Sequence, residues 1–273
     1  YASSNTNFMG FSGSTAEVDV EGNIMSLVYG DNFIGNSALT GSYNFCSLFK
    51  ATNTISAENL ILPTMVLTPQ CYRALLANSP SLEVAPALPA TTLAASCYRY
   101  MFQDCSITTA PDLLAPVLAQ GCYEGMFNNC LNLTYIKCMA TNMDTGVDTY
   151  SWTTYINTVG TFVKDANTDW LRGANGIPTK WVIVEVGVKK PVISCDGLEI
   201  ALECDTSGAS IYYRLNEIGE YALYAAPISI SADTVIETYS QLDEETSPIV
   251  KETCIYDDGI EEHWPNPSDE KPL

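Results

Sequence analysis

The feature that most constrains the fold is a repeat. Cys71-Tyr72-Arg73-Ala74-Leu75-Leu76, Cys97-Tyr98-Arg99-Tyr100-Met101-Phe102 and Cys122-Tyr123-Glu124-Gly125-Met126-Phe127 align, and the Cys-Tyr pair recurs 26 and then 25 residues on. Ser79, Cys105 and Cys130 each follow the first cysteine by 8 residues. Leu62-Pro63, Leu88-Pro89 and Leu113-Leu114 lie between the cores. A fixed period in the twenties marks a solenoid, in which each unit buries its apolar face only against its neighbours. One short strand per unit is expected, at Leu82–Ala85, Ile107–Ala110 and Leu133–Ile136, stacked in parallel. Pro86 and Pro111, which have no N–H to donate, end two of these segments. The Cys-Tyr-x-x-Met-Phe core reads as one helical turn.

The flanks read as lids for the open ends of the stack. Residues 1–43 form an N-terminal cap. Within it Ala16-Glu17-Val18-Asp19-Val20 alternates as a half-buried strand. A degenerate first unit follows. Aligning Leu48-Phe49 with Met101-Phe102 puts Asn44 at the repeated cysteine position, so Cys46 is out of phase and is assigned to the cap interface. Residues 138–187 form the C-terminal cap: a short helix at Trp152–Ile156, strands at Thr161–Lys164 and Trp181–Val186, and Trp152, Trp170 and Trp181 closing the core.

The chain has 32 acidic residues against 12 Lys and Arg, a formal net charge of −20. This excludes nucleic acid and anionic lipid as charge-driven partners. No apolar run approaches the roughly 18 residues that span a membrane. The opening Tyr-Ala-Ser-Ser-Asn-Thr-Asn is polar and small, like a tether after a removed leader, so an exported protein is expected, lipid-anchored at the cell surface or extracellular. No C-x2-C pair occurs and the one histidine is His263, so the 10 cysteines do not read as a metal site. Two readings of the repeated cysteines are open. Cys71, Cys97, Cys122, Cys105 and Cys130 form an internal ladder of free thiols, or Cys97–Cys105 and Cys122–Cys130 are disulfides. Ser79, standing where a partner for Cys71 would be, favours the ladder.

No nucleophile elbow, P-loop or dinucleotide fingerprint occurs, and His263 is not placed to serve a triad. The chain is expected to be non-enzymatic, without cofactor or metal, and monomeric. Candidate binding residues are the column Tyr72, Tyr98 and Tyr123, together with Glu83, Thr108 and Tyr135. The second stripe holds Glu83, Thr108 and Thr134, with Val84, Thr109 and Tyr135 alternating. The tyrosines either face out as an aromatic row or pack beside the cysteines, and packing is the preferred reading.

The run Leu88–Cys105, with Asn23-Ile24-Met25-Ser26-Leu27 before the repeats and Tyr135-Ile136-Lys137-Cys138 after them, resembles the BspA-like leucine-rich-repeat surface proteins of anaerobic Bacteroides-type bacteria. The resemblance covers roughly residues 15–187. It departs from the pattern at Leu75-Leu76, at Ser79 and at the Ile107 turn. It implies an adhesin-like protein that contacts host or bacterial surface proteins.

Beyond Gly187–Pro191, short turn-bounded strands (Leu198–Leu202, Ser210–Arg214, Ile228–Ile230, Thr234–Tyr239) read as a small Ig-like β-sandwich over 188–254. Pro191–Cys195, Asp205–Tyr213 and Tyr224–Ile228 resemble the chitobiase/hexosaminidase C-terminal type of accessory domain. That resemblance implies a non-catalytic module and, as an alternative function, carbohydrate binding within a surface glycan-utilisation system. Cys195, Cys204 and Cys254 are buried thiols or carry a Cys195–Cys204 or Cys195–Cys254 bridge. The acidic, proline-containing segment 255–273 is read as a tail without secondary structure. Asp257-Asp258-Gly259 is one fragment of a calcium loop whose remaining spacing is absent. The overall expectation is a mainly β chain: solenoid, sandwich and tail.

Overall fold

The computed structural model describes residues 16–144 and 146–259. His263, most of the acidic tail and the start of the N-terminal cap lie outside the described residues. The chain divides into two compact units, Tyr1–Val186 and Gly187–Leu273. It is mainly β, in small sheets of both senses.

In the first unit β1 (Val18–Asp19) and β2 (Gly22–Asn23) precede one short helix, α1 (Ser26–Tyr29), and pair in parallel with β3 (Thr54–Ser56) and β4 (Leu60–Ile61). The segment expected to be a half-buried strand at 16–20 is exposed except for Val20, which is half-buried. Among the described strands β1 pairs with β3, and both its residues, Val18 and Asp19, are exposed. At the far end β5 (Tyr135–Cys138), β6 (Thr161–Asp165) and β7 (Val182–Val186) form a parallel sheet in the order 5-6-7. Between these ends the expected strands at 82–85 and 107–110 reduce to single parallel bridges, Ser56 with Val84 and Thr109 with Tyr135. Glu83 and Val84 are both exposed, as are Thr108 and Thr109. The in–out alternation expected of a half-buried strand is therefore absent at these positions.

The repeated cores are not helical turns. Left-handed residues fall at every fourth position: Tyr43, Ser47 and Ala51 in turn 1; Gln70, Ala74 and Asn78 in turn 2; Ser96, Tyr100 and Asp104 in turn 3; Gly121, Gly125 and Asn129 in turn 4; Ser151 and Tyr155 in turn 5. Each left-handed residue interrupts the helix and turns alternate N–H groups along the stack. In turn 2 the N–H groups of Cys71, Arg73, Leu75 and Ala77 donate back to Thr68, Gln70, Tyr72 and Ala74. Those of Gln70, Tyr72, Ala74, Leu76 and Asn78 donate forward to Ala95, Cys97, Arg99, Met101 and Gln103 of turn 3. The donors are thus satisfied alternately within the turn and by the neighbouring turn, which meets the requirement that buried backbone groups be paired. The expected helix at Trp152–Ile156 is likewise turn 5: Tyr123, Gly125 and Phe127 donate to the carbonyls of Asp148, Tyr150 and Trp152.

This register fixes what lies inside. Phe45, Tyr72, Tyr98 and Tyr123 stack at centroid separations of 5.8, 5.8 and 6.2 Å, and Trp152 closes the column at 6.1 Å from Tyr123. Phe102 and Phe127 form a second column, 6.0 Å apart. Trp170 stacks on Trp152 at 5.5 Å, and the Trp181 indole N–H donates to the Asn157 carbonyl. All three tryptophans are buried at this end.

The second unit has two antiparallel sheets. β8 (Val192–Cys195), β9 (Glu199–Glu203) and, further along, β12 (Ile228–Ser229) form one, in the order 12-9-8. β10 (Ser210–Leu215), β11 (Ala222–Leu223), β13 (Thr234–Leu242), β14 (Glu245–Thr246) and β15 (Val250–Cys254) form the other around β13. Ile200 and Leu202 of the first sheet share a core with Ile236 and Cys254 of the second. A Cys195–Cys254 disulfide, Cα atoms 5.7 Å apart, joins β8 to β15 and takes one of the two bridges left open by the sequence. Segment 255–259 has no helix or strand but is held against the second unit. Tyr256 packs on this core, and its N–H donates to Asp233, while that of Asp257 donates to the Gly197 carbonyl.

Candidate functional site

The column Tyr72, Tyr98 and Tyr123 offers no binding surface, because its rings are at most 1 % exposed. Each ring lies between aromatic neighbours above and below, which burial of 150–250 Å² per aromatic side chain makes more favourable than exposure. Cys71, Cys97, Cys122, Cys105 and Cys130 are free and buried, so the expected alternatives Cys97–Cys105 and Cys122–Cys130 are not formed. Burial pushes the thiols of Cys71, Cys105 and Cys122 up to about 12. Burial thus favours the protonated thiol, the weaker nucleophile and metal ligand. Cys105 and Cys130 donate their S–H groups to the carbonyls of Leu76 and Phe102, at 3.2 and 3.0 Å.

Glu83 and Thr108 are exposed and Tyr135 is half-buried. Tyr135 stands opposite Thr109 on one side and Thr161 on the other, one residue out of line with Thr108. A second row runs nearby. Val66 bridges Thr92 and Val117 bridges Asn142, all four exposed, at intervals of 26, 25 and 25 residues. These rows present side chains at regular spacing on an extended face.

The first unit also holds a cavity that the sequence did not reveal. The left-handed positions Ser47, Ala74, Tyr100, Gly125 and Ser151 align as a column through the forward hydrogen bonds. Tyr100 is its only large member. Its ring lies against Gly125, where an added Cβ would be 2.2 Å from Cδ1. The Tyr100 hydroxyl donates to Glu124 at 3.0 Å, and Glu124 pairs with Arg99 at 2.6 Å. A cavity of about 320 Å³ opens where Ala74 and Ala77 contribute only methyl groups. Tyr100, Ser47 and Gln103 also line it, as do Lys50 and Arg73. Cys46, expected at the cap interface, is part of this lining. Its thiol is raised by burial, and this is opposed first by its hydrogen bond with Ser47 and then by the charges of Arg73 and Lys50. Lys50 and Arg73 are the only Lys or Arg among the first 98 residues. Neither is ion-paired to a described residue; Arg73 donates to Gln70 Oε1 at 2.8 Å.

The second unit carries a polar aromatic face on β10 and β13. Ile211, Tyr213 and Leu215 face the core. Strand alternation therefore puts Tyr212 and Arg214 on the opposite face, across from Tyr239 and Glu237. Tyr212 and Tyr239 stack at 5.3 Å, and Tyr221 meets Tyr239 edge-on at 5.0 Å. Arg214 pairs with Glu237 at 2.5 Å and holds its carboxyl below the usual range. Lys251 bridges Glu217 and Glu237.

Among the described residues no group of three His, Cys, Asp or Glu is placed to hold a metal ion, and no helix is long and apolar enough to cross a membrane. Comparison of the chain with protein-family models, curated proteins and solved structures finds no match.

Proposed function

We propose that this chain is a non-enzymatic, adhesin-like interaction protein of the cell surface or extracellular space. Its stacked turns form a leucine-rich-repeat solenoid of the BspA-like kind, and the outward rows form a protein-binding surface. The observation that carries this reading is the segregation of the repeat. Thiols and tyrosines are spent on the core, while exposed residues recur in register along the stack at Val66, Thr92, Val117 and Asn142. Regularly spaced surface side chains suit an extended partner, as in other repeat arrays. The test is capture of host matrix and cell-surface proteins by the immobilised full chain. Saturable binding at micromolar concentration is expected, and its absence across the panel would count against the reading.

A second reading, carbohydrate binding by an Ig-like β-sandwich accessory domain in the second unit, is favoured by one observation. Tyr212, Tyr221 and Tyr239 cluster beside Arg214 and Glu237 on the face of β10 and β13 away from the core. A glycan array probed with the full chain and its Tyr239→Ala variant separates the two. This reading requires glycan binding that the substitution abolishes.

A further inference from the structure

We propose that the cavity between turns 1, 2 and 3 is a binding site for a small acidic sugar, with Arg73 and Lys50 holding its carboxylate. Four observations converge on it. First, the chain carries 32 acids against 12 Lys and Arg, yet the only two basic residues among the first 98 line one cavity. Second, no carboxylate lines that cavity. The neighbouring Arg99 is neutralised by Glu124, whereas Arg73 and Lys50 have no such partner among the described residues. Third, the guanidinium of Arg73 is already oriented by Gln70. An oriented planar fork binds a carboxylate through two parallel hydrogen bonds and loses little freedom in doing so. Fourth, the rest of the lining suits a polyhydroxylated ring. Ser47 and Gln103 offer a hydroxyl and an amide, Tyr100 an aromatic surface and Ala74 an open floor. The volume, about 320 Å³, falls at the lower end of the range for small-molecule sites, roughly 300–1,000 Å³.

The cavity is built rather than incidental. The Tyr100 ring that lines it is held in place beside the bare backbone of Gly125 and by its hydrogen bond to Glu124. A side chain at residue 125 would compete with the ring for that space. The proposal adds a ligand to the binding reading of the first unit but does not depend on a protein partner, because free sugars are the probes.

The test is calorimetric or ligand-observed NMR titration of the full chain with glucuronic acid and N-acetylneuraminic acid. Glucose, glucose 6-phosphate and succinate are the comparators. Saturable binding of an acidic sugar is expected, weakening as salt screens the charges. Losing a hydrogen bond to a charged group lowers affinity roughly ten- to a hundredfold, so glucose should bind at least that much more weakly. Arg73→Gln should show a loss of the same size and Lys50→Gln a smaller one. Lys50 is exposed, so its variant should fold normally. Ala77→Leu should block the cavity without altering its charge. Preference for the phosphorylated sugar would overturn the carboxylate assignment, and equal binding of succinate would overturn the sugar. Binding of acidic peptides in place of sugars, binding that survives Arg73→Gln, or no binding would overturn the site itself.

Discussion

The Tyr100 ring occupies the place where a side chain on Gly125 would be: an added Cβ would lie 2.2 Å from both Cδ1 and Cε1. Gly125 is also left-handed, with φ of 59°. Gly125→Ala therefore meets two costs, about 1–2 kcal/mol for the backbone and a further cost for displacing the ring. A loss of roughly 2–4 kcal/mol in urea unfolding is expected. Tyr100→Ala combined with Gly125→Ala should recover the steric part, so the two changes should be strongly non-additive.

Tyr98 stands in the middle of the aromatic column, between Tyr72 and Tyr123. Tyr98→Ala should cost about 3–5 kcal/mol, as for other large aromatics in cores. Tyr135 is half-buried on the strand side, and Tyr135→Ala should cost much less. Equal effects in thermal unfolding would contradict the assignment of one ring to the core and the other to the surface.

The buried thiols make the fold sensitive to alkali. Burial holds Cys71, Cys105, Cys122 and Cys138 at about 12 in the folded chain, against about 8.5 when unfolded. Between these values the unfolded state has released protons that the native state still binds. Stability is therefore complete below about pH 8.5 and falls as pH rises toward 12, by about 1.4 kcal/mol per thiol per pH unit. Urea midpoints measured from pH 8 to 11 should follow this slope, and Cys122→Ala should remove one thiol's share. A thiol reagent should label Cys204 readily in the native chain and all eight free cysteines only after unfolding.

The Cys195–Cys254 bridge closes a loop with a sequence separation of 59. Loop-closure entropy for that length gives about 4 kcal/mol. Replacing both cysteines by serine should lower the unfolding transition of the second unit by an amount of that order. Unchanged unfolding in non-reducing conditions would mean that the bridge contributes little.

The period was legible because Cys-Tyr recurs with few substitutions, and the burial of the thiols followed from Ser79 in one rung. The turn type was not legible. Its left-handed positions carry Ser47, Ala74, Gln70 and Tyr100 as readily as Gly121 and Gly125; the glycines, with Asn78, Asp104 and Asn129 at the third position, are types that favour positive φ, and the others are not. The stack supplies the forward hydrogen bonds that hold the others there. The cavity was hidden for a related reason: Lys50, Arg73 and Gln103 meet only once the turns are in register. One clue was present in the sequence. The column Ser47, Ala74, Tyr100, Gly125 places a large residue directly before a glycine at the repeat spacing, and the two isolated cations fall beside it.

The central claim is that the outward rows, not the tyrosine column, make the contact surface. Binding of the full chain to the captured protein should be measured for the native sequence and for Val66→Glu combined with Val117→Glu. Both residues are exposed, at 62 % and 55 %, so the double variant should keep its thermal transition. The account predicts at least about a tenfold loss of affinity, the scale of truncating an interface hot spot, and no change for Tyr239→Ala. Undiminished binding by the double variant would contradict it.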